Sequence, residues 1–316
     1  SKQLNENLIE DLDLKLGEFF CDKVEEFIAS LSLKKEKIEA IGSHGQTIKH
    51  EPNSIPPFSL QIGNPQLISN QLGIKTIANF RDDDIAKGGQ GAPLSPIFHK
   101  EVFAKENKKR VIINIGGITN ISLLGGAKLI GFDTGPGNCL LDIWTKKNKK
   151  GNYDNEGNWA KAGTVDQDLL DIMMKDNYFS LEPPKSTGPD YFNLSWLQDC
   201  LMKLKREIDP RDTQATLVEL TASSLSNSLK RLKIVNENIY ICGGGVHNKF
   251  LMRRISFLLG EKCYTTDKLG LDPDYIEAIC FAWLAYKRVN NIKFNMSAIT
   301  GSNEKVFLGK VYLPSK

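Results

Sequence analysis

The 316-residue chain carries 41 Lys and Arg against 38 Asp and Glu, a net charge of +3 that argues against a nucleic-acid partner. Hydrophobic residues make up 41% and charged residues 25%, which is the balance of a globular protein and excludes an intrinsically disordered one. No run of the sequence approaches the roughly 18 apolar residues of a membrane span, so we expect no membrane role.

The cysteines, the histidines and the N-terminal sequence indicate the cellular compartment and whether the protein binds a metal. Six cysteines stand far apart without a CxxC pair, and neither they nor the four histidines show metal-ligand spacing. The opening residues, SKQLNENLIEDL, have no secretory-signal pattern. We therefore expect reduced thiols, a cytoplasmic protein and no zinc site.

The first part of the chain mixes predicted helices with short strands. Periodicity predicts a helix over about 11–33, strands at 38–43, 58–62 and 75–80, and a helix at 65–72. A polar turn, SHGQT, follows the first strand. The segment FRDDDIAKGGQGAPLSP combines charge, glycine and proline and predicts a long functional loop.

The second part begins after a charged run at 105–110, which we interpret as a domain boundary. Three glycine-punctuated strands at 111–115, 118–124 and 129–133 predict an antiparallel meander. The remaining predicted elements are helices at 138–147, 164–175, 192–205 and 211–232, a strand at 239–242, a helix at 248–259, a strand at 262–265, a helix at 274–289 and a closing loop and strand. Asp209, Pro210 and Asp212 mark the start of the longest of these helices.

This element order is that of a ribonuclease-H-like layer, in which helices cover a mixed sheet. The first 108 residues resemble the back part of a second such unit without its three opening strands. We therefore predict an α/β fold of two ribonuclease-H-like domains. The first, incomplete at its N-terminus, comprises 1–108 and 290–316, and the second comprises 109–289.

Three glycine segments follow predicted strands and could bind phosphate. In IINIGGITN, the amides of Gly116 and Gly117 can approach an anion, although an ordinary hairpin turn is the alternative. ICGGGVHN places Gly243, Gly244 and Gly245 between a strand and a helix, where a nucleoside or phosphate can lie on the backbone. This segment has neither a full GxGxxG spacing nor a Walker lysine.

The segment GFDTGPGN joins a carboxylate to a helix start. We predict that Asp133 ends a strand, that Gly135 and Gly137 form the turn, and that Asn138 caps the next helix. A proton acceptor would then stand beside a phosphate-binding helix N-terminus, and a capping aspartate is the alternative. Asp142 is predicted to be solvated or a capping partner.

Other polar loops suit a ligand with a carboxylate, such as a sugar acid. Arg81 has a planar guanidinium group that can bind a carboxylate through two N–H groups, and His44 and Gln90 can form hydrogen bonds as neutral side chains. A local salt bridge between Arg81 and the aspartates at 82–84 is the alternative. The segment 185–187, KST, is a candidate ligand wall or a simple connection.

Taken together, these strings resemble one family. They are GSHGQT, LQIGNPQLI, ANFRDDDIAKGGQGAPL, NIGGITNISLL, GFDTGPGN, YDNEGNWAKAG, PPKSTGPDYFN, DPRDTQATLVELTA, ICGGGVHN and DYIEAICFAWLAY, in this order from about residue 15 onward. The sequence resembles the anhydro-N-acetylmuramic acid kinases, bacterial members of the sugar-kinase, Hsp70 and actin superfamily. The resemblance implies two actin-like ATPase domains around a central cleft that binds ATP, Mg²⁺ and 1,6-anhydro-N-acetylmuramic acid, in a homodimeric cytoplasmic enzyme of cell-wall sugar recycling.

The resemblance also implies residue roles. Asp133 would be the base that activates water, since an ionised aspartate can accept a proton at neutral pH. We assign no metal ligand to this sequence, because the family's metal-orienting aspartate belongs to the missing N-terminal segment. The implied phosphate side consists of Gly116, Gly117, Asn120, Gly135, Gly137 and Asn138, the nucleoside side of Gly243, Gly244 and Gly245, and the substrate side of His44, Gln46, Arg81, Gln90 and Glu277. For Glu277, orientation of a water and helix capping are both open.

One family feature is missing from this sequence. Family members begin with a phosphate hairpin that reads approximately MSGTSLDG(V/I)D, and no such string occurs here. We therefore expect the chain to begin inside the following helix. The alternative function is a non-catalytic protein that binds nucleotide or sugar without turnover. A glycosidase with paired carboxylates is disfavoured because only phosphate-type loops recur.

Overall fold

The computed structural model describes residues 6–126, 129–234, 237–260 and 263–315. The helices are α1 Glu6–Ser30, α2 Pro65–Leu72, α3 Asp82–Ala86, α4 Ser95–Phe103, α5 Asn138–Lys147, α6 Asn158–Lys161, α7 Gln167–Met174, α8 Leu194–Leu204, α9 Pro210–Arg231, α10 Lys249–Leu259 and α11 Ile276–Val289. The strands are β1 Ile41–Gly42, β2 Gln46–Glu51, β3 Phe58–Ile62, β4 Thr76–Ala78, β5 Arg110–Ile115, β6 Ile118–Leu124, β7 Ile130–Pro136, β8 Asn238–Cys242, β9 Cys263–Thr265, β10 Phe294–Asn295, β11 Lys305–Val306 and β12 Lys310–Tyr312.

The chain forms two compact units. The first consists of Ser1–Ala92 and Ala278–Lys316, and the second of Pro93–Glu277. These bounds differ from the predicted ones at 108/109 and 289/290. The reason at the first boundary is α4, which lies before the charged run but packs on β6 of the second unit.

The second unit contains a five-stranded sheet in the order β7-β6-β5-β8-β9. β5, β6 and β7 are antiparallel, whereas β8 pairs with β5 and β9 pairs with β8 in parallel. An antiparallel meander followed by parallel strands is the ribonuclease-H-like order, so the predicted α/β class is confirmed. Apolar side chains on one face of the sheet, including Ile113, Ile121 and Phe132, pack into a core with α5 and α7–α10.

Helix α9 lies at the centre of that core. The carboxylate of Asp209 accepts a hydrogen bond from the amide of Arg211 at 2.8 Å, and Pro210 is the first helical residue, as predicted. Thr221 of α9 faces the sheet, where its Oγ1 donates to the carbonyl of Pro136 at 3.0 Å. This contact fixes the end of β7 against the helix.

The first unit is built on a smaller sheet in the order β1-β4-β12. β1 is parallel to β4, and β12 is antiparallel to it, which confirms the closing strand. The predicted turn after β1 is wrong in part, since Gln46 begins strand β2, which pairs with β3. The predicted long loop is also wrong in part, because it contains α3 and the start of α4. Within the described residues, no helix is long and apolar enough to cross a bilayer.

Candidate active site

Two of the glycine turns are joined by backbone hydrogen bonds at the start of α5. The amides of Gly137 and Cys139 donate to the carbonyl of Gly117 at 2.9 and 3.1 Å, and the amide of Asn138 donates to the carbonyl of Gly116 at 2.8 Å. A Cβ on Gly137 would overlap the carbonyl oxygen of Gly116, so a side chain here would push the two turns apart. The β5–β6 turn therefore lies directly on the N-terminus of α5.

The third glycine segment packs on the end of β5. A Cβ on Gly243 would lie 2.8 Å from the carbonyl oxygen of Ile115, and one on Gly245 would overlap the Ile115 side chain. Asn138 Nδ2 donates to the same carbonyl at 3.4 Å. The structure thus brings all three predicted glycine segments together at one edge of the sheet.

The glycines of this group differ in what their Cα atoms face. Around Gly116, Gly117 and Gly244 no atom would approach an added Cβ more closely than 3.7, 3.8 and 3.9 Å, respectively. Gly135 instead faces Phe179, whose ring would lie 2.8 Å from such a Cβ. A methyl group would therefore fit at the first three positions in ordinary van der Waals contact, whereas Gly135, Gly137, Gly243 and Gly245 permit close packing that a side chain would disrupt.

Asp133 lies within β7, so the prediction that it ends the strand is wrong. β7 continues to Pro136 because a bulge at Thr134 shifts the register between the pairs Asn120–Asp133 and Thr119–Gly135. A bulge re-aims the strand without ending the ladder. The predicted capping role of Asn138 is also wrong: Asn138 is the first helical residue, and its side chain donates to Ile115 instead.

A row of polar residues crosses this part of the sheet. Asn114 of β5 pairs with Asn120 of β6, which pairs with Asp133 of β7, and Cys242 of β8 pairs with Asn114 on the other side. Cross-strand partners project from the same face of a sheet, so the two amides and the carboxylate share one face. Ser95 Oγ donates to Asn120 Oδ1 at 3.3 Å.

Asp133 is held by the segment between α7 and α8. Only 4% of the residue is exposed. Its Oδ2 accepts a hydrogen bond from the amide of Thr187 at 3.0 Å, and its own amide donates to the carbonyl of Lys185 at 3.2 Å. Tyr178 Oη donates to the carbonyl of Asp133 at 2.7 Å. The carboxylate is therefore fixed from both its backbone and its side chain.

Lys185 places a buried cation in the same neighbourhood. Its Nζ donates to the carbonyl of Tyr178 at 3.1 Å and lies 4.7 Å from the centre of the Tyr178 ring. Burial lowers the pKa of Lys185 to about 8, and Arg231 acts in the same direction, while Glu182 and Asp133 oppose the shift. Burial, and then the charge of Asp133, raise the pKa of Tyr178, so its phenol stays a donor.

A cavity of about 570 Å³ opens beside the start of α5. This volume is in the range of small-molecule sites. Asn138 and Gly244 both line it, so it joins residues predicted for the phosphate and the nucleoside sides. Its full wall consists of Asn138, Leu141, Asp142, Tyr153, Asp154, Asn155, Glu156, Gly244, Val246, His247, Asn248 and Lys249. Asp133 is outside this wall, five residues before Asn138.

In the first unit, Arg81 is the centre of a separate polar cluster. Its Nη2 and Nε donate to Nε2 of His44 at 2.8 and 3.2 Å, and its Nη1 donates to the carbonyl of Gly91 at 2.6 Å. Burial, and then the charge of Arg81, lower the pKa of His44 to about 3. The imidazole is therefore neutral, and because Nε2 faces an arginine, its proton lies on Nδ1, which donates to the carbonyl of Gly45 at 2.8 Å.

The aspartates next to Arg81 have other partners as well. Asp82 pairs with Lys310 at 2.7 Å. Buried Asp84 accepts hydrogen bonds from the amide of Gly91 and from Thr300 Oγ1, both at 2.8 Å. Burial raises the pKa of Asp84, and Thr300, Gly91 and Arg81 limit that rise. Asp84 thus fixes the backbone to which Arg81 also binds.

The remaining predicted substrate residues are Gln90, Gln46 and Glu277. The amide of Gln90 donates to the carbonyl of Thr300 at 2.9 Å, close to the Arg81 cluster in sequence. Gln46 is exposed at the start of β2, and its Nε2 donates to the carbonyl of Thr47 at 3.2 Å. Glu277 is exposed in the first turn of α11 and accepts no hydrogen bond from any described residue. After burial, its charge contributes to a raised pKa of Cys242, which places it near the end of β8.

Comparison with known proteins identifies the family. The family model described as anhydro-N-acetylmuramic acid kinase matches residues 2–314. The chain belongs to this kinase family. The anhydro-N-acetylmuramic acid kinase of Pasteurella multocida is 47% identical over 97% of this chain and 82% of its own length. Those of Saccharophagus degradans and Coxiella burnetii are 44% and 43% identical, over 96% and 97% of this chain and 83% of their own lengths.

Sequence reasoning about this kinase missed some residues that the structure places at the site. Asn114 is in the polar row although it was not singled out, and its signal was available: one amide interrupts the apolar strand VIINI. Asp142 was interpreted as solvated or capping, yet it lines the cavity. Tyr178 gave no local signal, because its contact with Asp133 joins residues 45 positions apart.

Proposed function

We propose that this chain transfers the γ-phosphoryl group of ATP to the 6-oxygen of 1,6-anhydro-N-acetylmuramic acid while water opens the anhydro ring, and that Asp133 is the base. The product is N-acetylmuramic acid 6-phosphate. Membership of the kinase family carries the activity and the use of ATP. The observation that supports the proposed site is the packing of three glycine segments around the start of α5, beside a buried and hydrogen-bonded Asp133.

The proposed reaction needs one proton acceptor and a site for phosphate charge. Water attacks the anomeric carbon as Asp133 accepts its proton, and the bond from that carbon to the 6-oxygen breaks. The 6-oxygen keeps the electron pair and attacks the γ-phosphorus, and ADP leaves. The amide of Gly116 donates to the carbonyl of Ile118, and the amides of residues 137–139 donate to the β5–β6 turn. We therefore expect the phosphates to meet the positive end of the α5 dipole beside Gly117. The work of the protein is positioning and charge stabilisation.

Magnesium in this proposal enters as the complex with ATP. Within the described ranges, no cluster of three His, Cys, Asp or Glu side chains could form a metal cage. Mg²⁺ in phosphoryl-transfer sites keeps several waters and takes few protein ligands besides the phosphates. Asp133 would meet the ion from its hydrogen-bonded position on β7, where the amide of Thr187 donates to Oδ2.

The oligomeric state, the cellular location and the contacts to the sugar are still predictions. A homodimer and a cytoplasmic location rest on the family resemblance. So does the assignment of His44, Gln46, Arg81, Gln90 and Glu277 to the sugar. The non-catalytic alternative has no observation in its favour, because the family match extends over nearly the whole chain.

A coupled assay of ADP release tests the proposed function. We expect release that depends on the anhydro sugar, with one N-acetylmuramic acid 6-phosphate formed per ADP. Mass spectrometry in ¹⁸O-water should place one heavy oxygen at the anomeric position, since water opens the ring. ADP release of the same rate without the sugar would contradict the kinase assignment. Binding of ATP or sugar without any turnover would favour the non-catalytic alternative.

The Arg81 cluster gives a prediction about the sugar. In the Arg81→Lys variant, a single ammonium cannot make the hydrogen bonds that tie Arg81 to both His44 and Gly91. We expect the KM for the anhydro sugar to rise about tenfold or more, as for loss of a charged hydrogen bond, with the KM for ATP little changed. Steady-state kinetics with each substrate varied in turn measures the difference.

A matched control comes from the surface of the same unit. Lys87 forms an exposed ion pair with Glu304, and such pairs contribute little to the stability of the fold. Lys87→Gln should leave both KM values unchanged. An unchanged sugar KM in Arg81→Lys, with the same melting temperature as the parent, would remove Arg81 from the sugar site.

A further inference from the structure

The cavity beside α5 contains acidic side chains that differ in their partners. The two oxygens of Asp154 accept hydrogen bonds from the amides of Trp159 and Ala160 at 2.8 and 2.9 Å. Glu156 pairs with Lys249. These two carboxylates therefore have structural partners on the cavity wall.

Asp142 is the exception among the cavity's acidic residues. It makes no hydrogen bond and no ion pair with any residue that the structure describes. Its electrostatic neighbour is Lys146, one turn later on α5, and burial nevertheless raises the pKa of Asp142 to about 6. Asp142 is half-buried on the cavity wall, so its acceptor oxygens are placed to receive hydrogen bonds from donors of a ligand in the cavity.

The position of Asp142 on α5 indicates which part of a ligand it meets. Asp142 follows Asn138 by four residues, so both lie on the same side of the helix, about 6 Å apart along the axis. Asn138 is at the helix start, where the glycine turns meet and where the proposed function places phosphate. Asp142 therefore faces a group one ribose-length away from the phosphates.

The chemistry of a carboxylate limits which groups of a nucleotide Asp142 could bind. An ionised carboxylate only accepts hydrogen bonds, and it repels phosphate. The donors of a nucleoside triphosphate are its ribose hydroxyls, next to the phosphates, and the amino group of adenine, at the far end of the base. A carboxylate that binds a ribose diol is a recurring solution in nucleotide sites.

We propose that Asp142 accepts hydrogen bonds from the ribose hydroxyls of the nucleoside triphosphate and so selects ribonucleotides over deoxyribonucleotides. This inference rests on the proposed function, because it takes the ligand to be ATP. It adds a specificity residue to the nucleotide side of the site, on the cavity wall that also contains Asn138 at the helix start and Gly244.

The test compares ATP with 2′-deoxy-ATP and 3′-deoxy-ATP in the parent protein and in Asp142→Asn. We expect the parent to prefer ATP over at least one deoxy analogue by about tenfold or more, in both KM and calorimetric Kd. In Asp142→Asn, ATP should bind about tenfold more weakly, with affinity close to that of the deoxy analogue, and kcat at saturation should change little. Asp199→Asn, the same substitution at an exposed position of α8, should behave as the parent.

The outcomes separate this inference from the proposed function. A parent that neither binds nor turns over ATP overturns both. A parent that turns over ATP without preference for ribose overturns the role of Asp142 alone. If added Mg²⁺ restores ATP binding to Asp142→Asn, the carboxylate holds the metal, and the ribose assignment is wrong.

Discussion

Replacing Asp133 with asparagine should lower kcat by about 10²- to 10⁴-fold, the usual contribution of a general base. The change has the same size and keeps an oxygen that can accept the hydrogen bond now made by the amide of Thr187. The clamp formed by Lys185 and Tyr178 binds backbone atoms of residue 133 and is unaffected. Only the proton acceptor is lost, so the KM for ATP should change little. The measurement is kcat from the coupled ADP-release assay at saturating ATP and anhydro sugar.

A second aspartate of the same unit provides the control. Asp176 accepts hydrogen bonds from the amide of Tyr178, from Tyr191 Oη and from Trp196 Nε1, all at 2.8 Å. If loss of a hydrogen-bonded carboxylate in this region were enough to stop turnover, Asp176→Asn would also be inactive. We expect it to keep kcat within about threefold, since these bonds are structural. Should Asp133→Asn melt at the parent temperature and keep its kcat, Asp133 holds the 185–187 segment and is not the base.

Local signals explain which elements could be predicted. The bounds of α2 were predicted as observed because its ends are encoded nearby: Asn64 Oδ1 accepts from the amide of Leu67 at 2.9 Å, Pro65 is the first helical residue, and Gly73 ends the helix with φ +68°. The glycine segments were also visible, because glycine marks places where backbones approach closely.

Helix α4 was missed because its stability comes from distant residues. Its sequence, SPIFHKEVF, follows a glycine- and proline-rich segment and places a histidine among apolar residues. In the structure His99 is fully buried, and its Nδ1 lies 2.8 Å from Ser122 Oγ of β6. Pro96 packs against Gly131 of β7, where any Cβ would overlap it. No local pattern predicts that a polar side chain will find its partner 23 residues away.

The candidate site also combines features that local sequence encodes with features that depend on distant residues. The three glycine segments and Asp133 are evident from sequence, since each occurs in a short string with its own geometry. The segment that clamps Asp133 is not, because Tyr178 and Thr187 contact it across 45 and 54 residues. The position of Asp133 within β7 also depends on a register shift at Thr134, and a bulge is set by pairing with β6 rather than by the strand alone.

The junction of the glycine turns predicts a large loss of stability in Gly137→Ala. The new methyl group would overlap the carbonyl oxygen of Gly116, a backbone atom that cannot rotate away, and would lie 3.0 Å from Thr119 Oγ1. Relief requires the β5–β6 turn to separate from α5 and to break the hydrogen bonds of residues 137–139 to the turn. We expect a loss of about 3 kcal/mol in the free energy of unfolding, which is the upper end of the usual destabilisation caused by overpacking. Denaturant unfolding followed by tryptophan fluorescence measures it.

Gly117→Ala is the matched control and separates packing from ligand binding at the same junction. Gly117 is exposed, and its added methyl group would come no closer than 3.8 Å to another atom, so the unfolding midpoint should stay at the parent value. The methyl group would, however, occupy the space in which phosphate is proposed to approach the turn, and the KM for ATP should rise several-fold. If Gly137→Ala proves as stable as the parent, the tight junction between the two turns is wrong. If Gly117→Ala binds ATP as the parent does, the phosphates lie elsewhere, and Gly117 is a glycine of the hairpin alone.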